Sequence, residues 1–399
     1  MKLNHPEIFF AIFAFVFGIL IMFLTPFNEV PDELTHYVRA KEVSLGKLYN
    51  KPPEKMTQEE LKNSTYKFHG ASGYSPVMYT ASALGIKTFP DNVHAGRICN
   101  LLIWILLITA AIRITPVFKW LFMFTALLPM SIFEGMSYSA DSFSNAFAFL
   151  FFAYIFKLIY QEKEFSYKKD IPLLCLFGIT GALSKGVILP LFLVPFIPIK
   201  KNKYLIFLFL ISITLFTSYL WSSSNYLATQ SLTYTELNKY FVLHCPVSFS
   251  IILINTIKYF WIEWVMSTIG ILGYFNIRLD NAIYYLTIIL YFCIFIFIKE
   301  KYKIKSSLKI FASFVFLLYI LMTCILLYIM ATPFGWEKIV GIQGRYFLPA
   351  LPLLFIIFGQ NINNNNDKYS EMFKRITITY IFLLLCYTCF ILKQTYQLI

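Results

Sequence analysis

The sequence predicts an all-α integral membrane bundle of about eleven spanning helices, with one large polar loop after the first span. Three observations predict it. Of 399 residues, 58% are hydrophobic and 19% aromatic, and only 14% are charged, against about 25% in ordinary soluble domains. The apolar residues come in blocks rather than in the spaced stripes of soluble amphipathic helices, and several blocks reach the roughly 20 residues that a span needs. The basic residues gather at block ends, as Lys200, Lys201 and Lys203 and again as Lys299, Lys301, Lys303 and Lys305. The positive-inside rule and an anionic inner leaflet account for that placement. The net charge of +13 therefore belongs to topology, and nucleic acid is not expected as a partner.

The first block, Ile8 to Phe27, is too long for a signal-peptide core, and no small-residue cleavage site follows it. It reads as an uncleaved anchor with Lys2 inside. Residues 28–96 form the first extracytoplasmic loop and carry short helical patterns. Spans are expected at 98–112, 120–133 and 142–160, at two short stretches, 171–184 and 187–199, and at 204–221. Residues 222–280 form a second extracytoplasmic and interfacial segment. Within it, 251–275 is apolar but interrupted by Lys258, Glu263 and the aromatic trio Phe260, Trp261 and Trp264. If 281–298 ends inside at the Lys299 cluster, 251–275 begins and ends outside. An interfacial or re-entrant segment fits that, since Trp and Tyr favour interfacial depth. Spans at 309–331, 346–360 and 376–392 complete residues 1–399 as a single polytopic membrane domain. Six of the seven cysteines lie in or beside apolar blocks, which is no disulfide framework.

Four polar segments stand out. After the first span comes Pro31-Asp32-Glu33-Leu34-Thr35-His36-Tyr37-Val38-Arg39. Pro31 suits a first helical position, with Asp32 and Glu33 in the first turn. His36 is four residues after Asp32 and Arg39 three further on, so one helix face presents an acid, an imidazole and a cation. The same residues make a good helix start, because first-turn acids offset the macrodipole. The turn between the spans 120–133 and 142–160 holds Asp141, which could cap a helix or serve a site. Leu183-Ser184-Lys185-Gly186 places a lysine between two short apolar stretches, where it snorkels to the surface or meets water, an acid or a phosphate. Gly341-Ile342-Gln343-Gly344-Arg345-Tyr346-Phe347-Leu348-Pro349 puts an arginine at the edge of a span. Its fork can hold a phosphate by two parallel hydrogen bonds, or it can anchor the span.

Together these segments resemble a bacterial family of predicted multipass membrane proteins of unassigned function. The matching positions are Pro31-Asp32-Glu33 with His36, Leu127 to Ser131 with Ala140-Asp141, Leu183-Ser184-Lys185, and Gly341 to Tyr346 with Pro349. The resemblance covers most of the chain, and residues 222–280 lie outside it. That family looks like a branch of the GT-C membrane glycosyltransferases. Those enzymes carry an Asp or Asp-Glu early in a large first outer loop, and often a second acid in the next. The chain is shorter than many of them, and no sizeable soluble C-terminal domain is expected.

The resemblance implies an inverting transfer of a sugar from a polyprenyl-phosphate donor to a cell-envelope glycan or lipid-linked acceptor, at the outer face of a bacterial cytoplasmic membrane. Asp32 is the expected base, with Glu33 as the alternative. Arg345 and Lys185 are expected at the donor phosphate, with His36, Arg39, Asp141, Gln343 and Tyr346 in support. No cofactor is certain. Some GT-C enzymes use a divalent metal and others do not, so one remains open. The competing expectations are a transporter or flippase of a lipid-linked glycan and a non-catalytic envelope-assembly subunit.

Overall fold

A computed structural model describes residues 3–49, 71, 73–160, 164–224, 232–359 and 367–397. Parts of both expected outer segments, at 50–70, 72 and 225–231, thus lie outside the described residues. The chain begins with α1 (Pro6–Leu24), then α2 (Glu33–Ser44), a 3-10 turn at Pro76–Tyr79 and α3 (Thr80–Thr88). There follow α4 (Val93–Ile114), α5 (Lys119–Ala126), α6 (Pro129–Gly135), α7 (Ala140–Tyr160) and α8 (Tyr167–Ala182). A 3-10 stretch at Leu189–Phe196 leads to α9 (Lys203–Ser224), α10 (Leu232–His244) and α11 (Pro246–Gly270). A two-residue antiparallel pair, β1 (Ile271–Leu272) with β2 (Ile277–Arg278), interrupts the helical order. The rest is α12 (Asn281–Phe297), α13 (Ser306–Ala331), a 3-10 stretch at Gly344–Ala350, α14 (Leu351–Phe358) and α15 (Asp367–Tyr396).

The protein is an integral multi-pass membrane protein, and among the described residues its fold is all-α apart from that pair. Of the expected spans, fewer than eleven are single long helices. Among the described residues, seven helices are long and apolar enough to cross a membrane: α1, α4, α7, α9, α11, α13 and α15. Proline explains most of the shortfall, since it removes a ladder donor and pushes its predecessor out of the helical region. The expected span at 120–133 is two short helices, broken where Leu128 turns extended ahead of Pro129. The expected span at 187–199 is a 3-10 stretch holding Pro190 and Pro195, and that at 346–360 is split between a 3-10 stretch with Pro349 and an eight-residue helix with Pro352. The α12 helix is apolar but only 17 residues long.

Helix α7 is the central post, with 78% of its apolar window buried. Phe149 and Phe156 on it meet Phe122 of α5 edge to face, and Phe122 in turn meets Phe355 of α14, the preferred geometry of ring quadrupoles. The broken α5–α6 segment can sit inside the bundle because its freed backbone is partnered: Ser131 Oγ donates to the Thr125 carbonyl at 2.9 Å. Contacts sort the helix ends onto two faces. Leu3 meets Glu371, Phe118 meets Glu300 and Lys299 meets Ser370 on a basic face. The segments around Asp32, Gly73, Tyr138, Tyr274 and Gly344 meet on the other, which carries the site.

Candidate functional site

The first motif is folded by its two acids in opposite ways. Asp32 takes a left-handed backbone (φ 63) as the N-cap of α2, and its side chain caps nothing. Asp tolerates that conformation better than most residues. The helix therefore starts at Glu33, and Pro31 precedes the cap rather than opening the first turn. Asp32 and His36 still share a side, since His36 N donates to the Asp32 carbonyl at 3.1 Å. The freed Asp32 carboxylate is 63% exposed and faces a cavity of about 420 Å³.

Glu33 turns the other way and is fully buried. It accepts from Asn28 N at 2.9 Å, from Tyr138 N at 3.3 Å, and from Arg97 Nε and NH2 at 2.8 and 2.6 Å. Arg97 also donates to the carbonyls of Thr25 at 2.8 Å and Pro26 at 3.0 Å, satisfying groups that the end of α1 leaves open. Glu33 thus ties the loop after α1, the start of α4 and the turn before α7 together. It does not line the cavity. Nor does Arg39, which is 1% exposed and straps the loop by donating to Glu42 and to the carbonyls of Tyr74, Lys47 and Leu48.

The other three motifs converge on the cavity. Asp141, in the first turn of α7, accepts from Lys185 Nζ at 2.6 Å. Lys185 reaches it because the turn after α8 runs through two left-handed residues, Lys185 (φ 52) and Gly186 (φ 68). Arg345 lies at the start of a 3-10 stretch and is 3% exposed. Its NH1 donates to Glu134 Oε1 at 2.8 Å and its NH2 to Asp32 Oδ2 at 3.2 Å, while its Nε lies 4.0 Å from Asp141 Oδ2. That Nε and Glu134 Oε2 are buried without a hydrogen-bond partner. Tyr346 lines the cavity beside Arg345. Gln343 does not, and its Oε1 is also buried without a partner.

His36 Nδ1 pairs with Tyr79 Oη at 2.7 Å, and the ring stacks on Tyr74, 6.0 Å away. Burial, reinforced by the Lys185 charge, pushes its pKa down to about 3, so it is a neutral imidazole at physiological pH. Burial alone would lower the Lys185 pKa, but the Asp141 carboxylate outweighs it and holds the ammonium above the ordinary lysine range. Apolar side chains complete the lining: Leu326 and Leu327 of α13 with Val187 and Leu189.

The site is therefore an accessible carboxylate, Asp32, loosely held by the buried Arg345, with a Lys185–Asp141 ion pair, a neutral imidazole and apolar side chains completing the lining. Such an array can take a proton from a hydroxyl and hold an anion beside it. A divalent metal fits less well. Arg345 stands among the three carboxylates, and among the described residues no three His, Cys, Asp or Glu side chains converge to hold one. Sequence reasoning assigned no role to Glu134, Arg97 or Tyr79. Glu134 alone left a signal, as a single acid in the apolar run from Trp120 to Met136.

A family model described as "Predicted membrane protein (DUF2142)" matches residues 59–354. The match takes in residues 222–280, which lie outside the motif resemblance, and begins after the Asp32 motif. No curated protein matches the chain, and no solved structure does.

Proposed function

This chain belongs to the DUF2142 family of predicted membrane proteins, and on that premise we propose that it is a GT-C-type glycosyltransferase. It moves a sugar from a polyprenyl-phosphate carrier to a cell-envelope glycan or lipid-linked acceptor, on the extracytoplasmic side of a bacterial cytoplasmic membrane. The observation that carries the reading is the cavity that gathers Asp32, Asp141, Lys185 and Arg345 from four separate segments, with apolar side chains completing the lining. The opposite face holds the Lys299 contacts, which supports the site face as extracytoplasmic.

The acceptor hydroxyl oxygen attacks the anomeric carbon. The bond from that carbon to the donor phosphate breaks, and its electron pair leaves with the phosphate. Asp32 takes the hydroxyl proton. Arg345 and Lys185 stabilise the departing phosphate. The Asp32–Arg345 contact, 3.2 Å long at an exposed carboxylate, is the one that an incoming phosphate displaces most easily. Donor binding then frees Asp32 from its cation and leaves its carboxylate open to the acceptor hydroxyl. A single base implies inversion at the sugar carbon.

The test deletes the gene in the native host and reads the surface glycans by mass spectrometry. Wild-type protein or Asp32→Asn is then restored at matched membrane abundance. The expected result is loss of one sugar on deletion, its return with wild type and its continued absence with Asp32→Asn. Full restoration by Asp32→Asn would overturn the base assignment and move the transporter or assembly reading ahead.

A further inference from the structure

Helix α11 is 25 residues long, roughly 37 Å at the usual rise, which is enough to cross a hydrocarbon core of about 30 Å. Its contacts tell against a crossing. Near its start, Phe249 packs on Tyr328, in the last turn of α13, with ring centroids 5.2 Å apart. At its middle, Thr256 Oγ1 accepts from Ile339 N at 2.9 Å. At its end, Ser267 Oγ accepts from Gly344 N at 2.8 Å, and Thr268 Oγ1 donates to the Gly344 carbonyl at 3.0 Å. The run from Tyr328 to Gly344 joins the end of α13 to the Arg345 segment on the site face. Start, middle and end of α11 all lie along it.

The neighbours agree. Trp221 at the end of α9 bonds the Gly73 carbonyl, and Asn238 of α10 bonds the carbonyls of Tyr328 and Thr332. After α11, Tyr274 bonds Asn28. These tether points all lie on the site face, so the chain from α10 to β2 has no need to visit the basic face.

The outward side of α11 is nonetheless apolar. Val247, Ile251, Ile254, Trp261 and Val265 recur along it, and all are exposed. Lys258 falls in register among them. The stripe runs back along α10 through the exposed residues Leu243, Tyr240 and Leu237. A lysine in mid-stripe is costly at the bilayer centre but ordinary in the headgroup layer, where its stem lies on apolar groups and its ammonium reaches water. Tryptophan and tyrosine favour the same layer.

We propose that α10 and α11 form an interfacial hairpin seated in the lipid leaflet on the site face, with the outward side of α11 against headgroups and upper acyl chains. The partner of this surface is lipid. Through Ser267 and Thr268 the hairpin also holds Gly344, next to Arg345, so its depth in the leaflet sets the position of that arginine. Contacts and exposure alone carry this seating, and it stands whether or not the chain transfers a sugar.

The test places a small fluorescent amino acid at position 247, 254 or 261 of the full-length protein. Each variant is reconstituted in bilayers whose lipids are brominated near the headgroup or near the chain ends. Interfacial seating predicts that all three sites are quenched alike, about twofold or more by the shallow bromines relative to the deep ones. A crossing helix would give deepest quenching at 254 and 261 and place 247 at the opposite face, which overturns the proposal. Absence of quenching by either lipid at all three sites would mean that protein or water covers the stripe, and would overturn it too.

Discussion

Two ion-pair clusters start from adjacent residues and behave as opposites. In the Glu33–Arg97 cluster both side chains are fully buried, and every donor of the guanidinium and both carboxylate oxygens are used. In the Asp32–Arg345 cluster the arginine is almost as deeply placed, but its Nε and an oxygen of Glu134 have no partner, and Asp32 is open to the cavity. A saturated buried network fixes a structure and leaves nothing for a ligand. An unsaturated one beside a cavity keeps bonding capacity in reserve. The difference separates the acid that holds the loops, Glu33, from the acid that stays open to the cavity, Asp32.

The contrast breaks most visibly at Arg97. Arg97→Met strands the Glu33 charge and the carbonyls of Thr25 and Pro26, and the expected loss is about 3–5 kcal/mol. A lowered thermal midpoint and poor yield of monodisperse protein in detergent would show it, whereas a native-like midpoint would mean that the cluster is not structural. Gly344→Ala comes next. A Cβ there would lie 2.3 Å from Thr268 N and from Trp264 O, so backbone must move and carry Arg345 with it. The expected cost is about 1–3 kcal/mol, with donor-dependent activity falling further than stability.

His36 sharpens the comparison through pH. The unfolded chain takes up a proton near pH 6.5, and the folded site does not until about 3. Stability from this ring is therefore whole above pH 6.5 and lost progressively as pH falls toward 3. Between pH 7 and 5 that amounts to at most about 2 kcal/mol. Melting curves of wild type and His36→Gln should differ in slope over that window, the variant being the flatter, and parallel curves would refute the buried neutral ring. Asp32→Asn is the smallest effect on folding. At its exposure the melting midpoint should correspond to a change within about 0.5 kcal/mol. A large shift would place Asp32 with Glu33 among the structural acids.

Much of this site was legible in the sequence, and the reason is local. Asp141, Lys185 and Arg345 are charges beside apolar blocks, which stand out because burying them is costly. What sequence could not separate was Asp32 from Glu33. Both sit at the start of a helix, and only the left-handed turn at Asp32 and the distant Arg97 send one carboxylate inward and the other to the cavity. Arg39 has the same spacing as a site residue yet straps the loop, because its partners are carbonyls up to 35 positions away. The breaks inside several expected spans were hidden from the sequence for a related reason. Hydropathy sums composition over a window, while Pro129, Pro190 and Pro349 decide whether that window closes its hydrogen-bond ladder.

By itself the sequence determined that this protein is embedded in a membrane through many helices. Hydrophobic length and charge placement are properties of short stretches and need no partner to act. Tertiary structure decided which acid is buried and which four segments share a cavity. Those outcomes depend on contacts such as Glu33–Arg97, 64 positions apart, and Asp32–Arg345, 313 positions apart, that no local stretch contains.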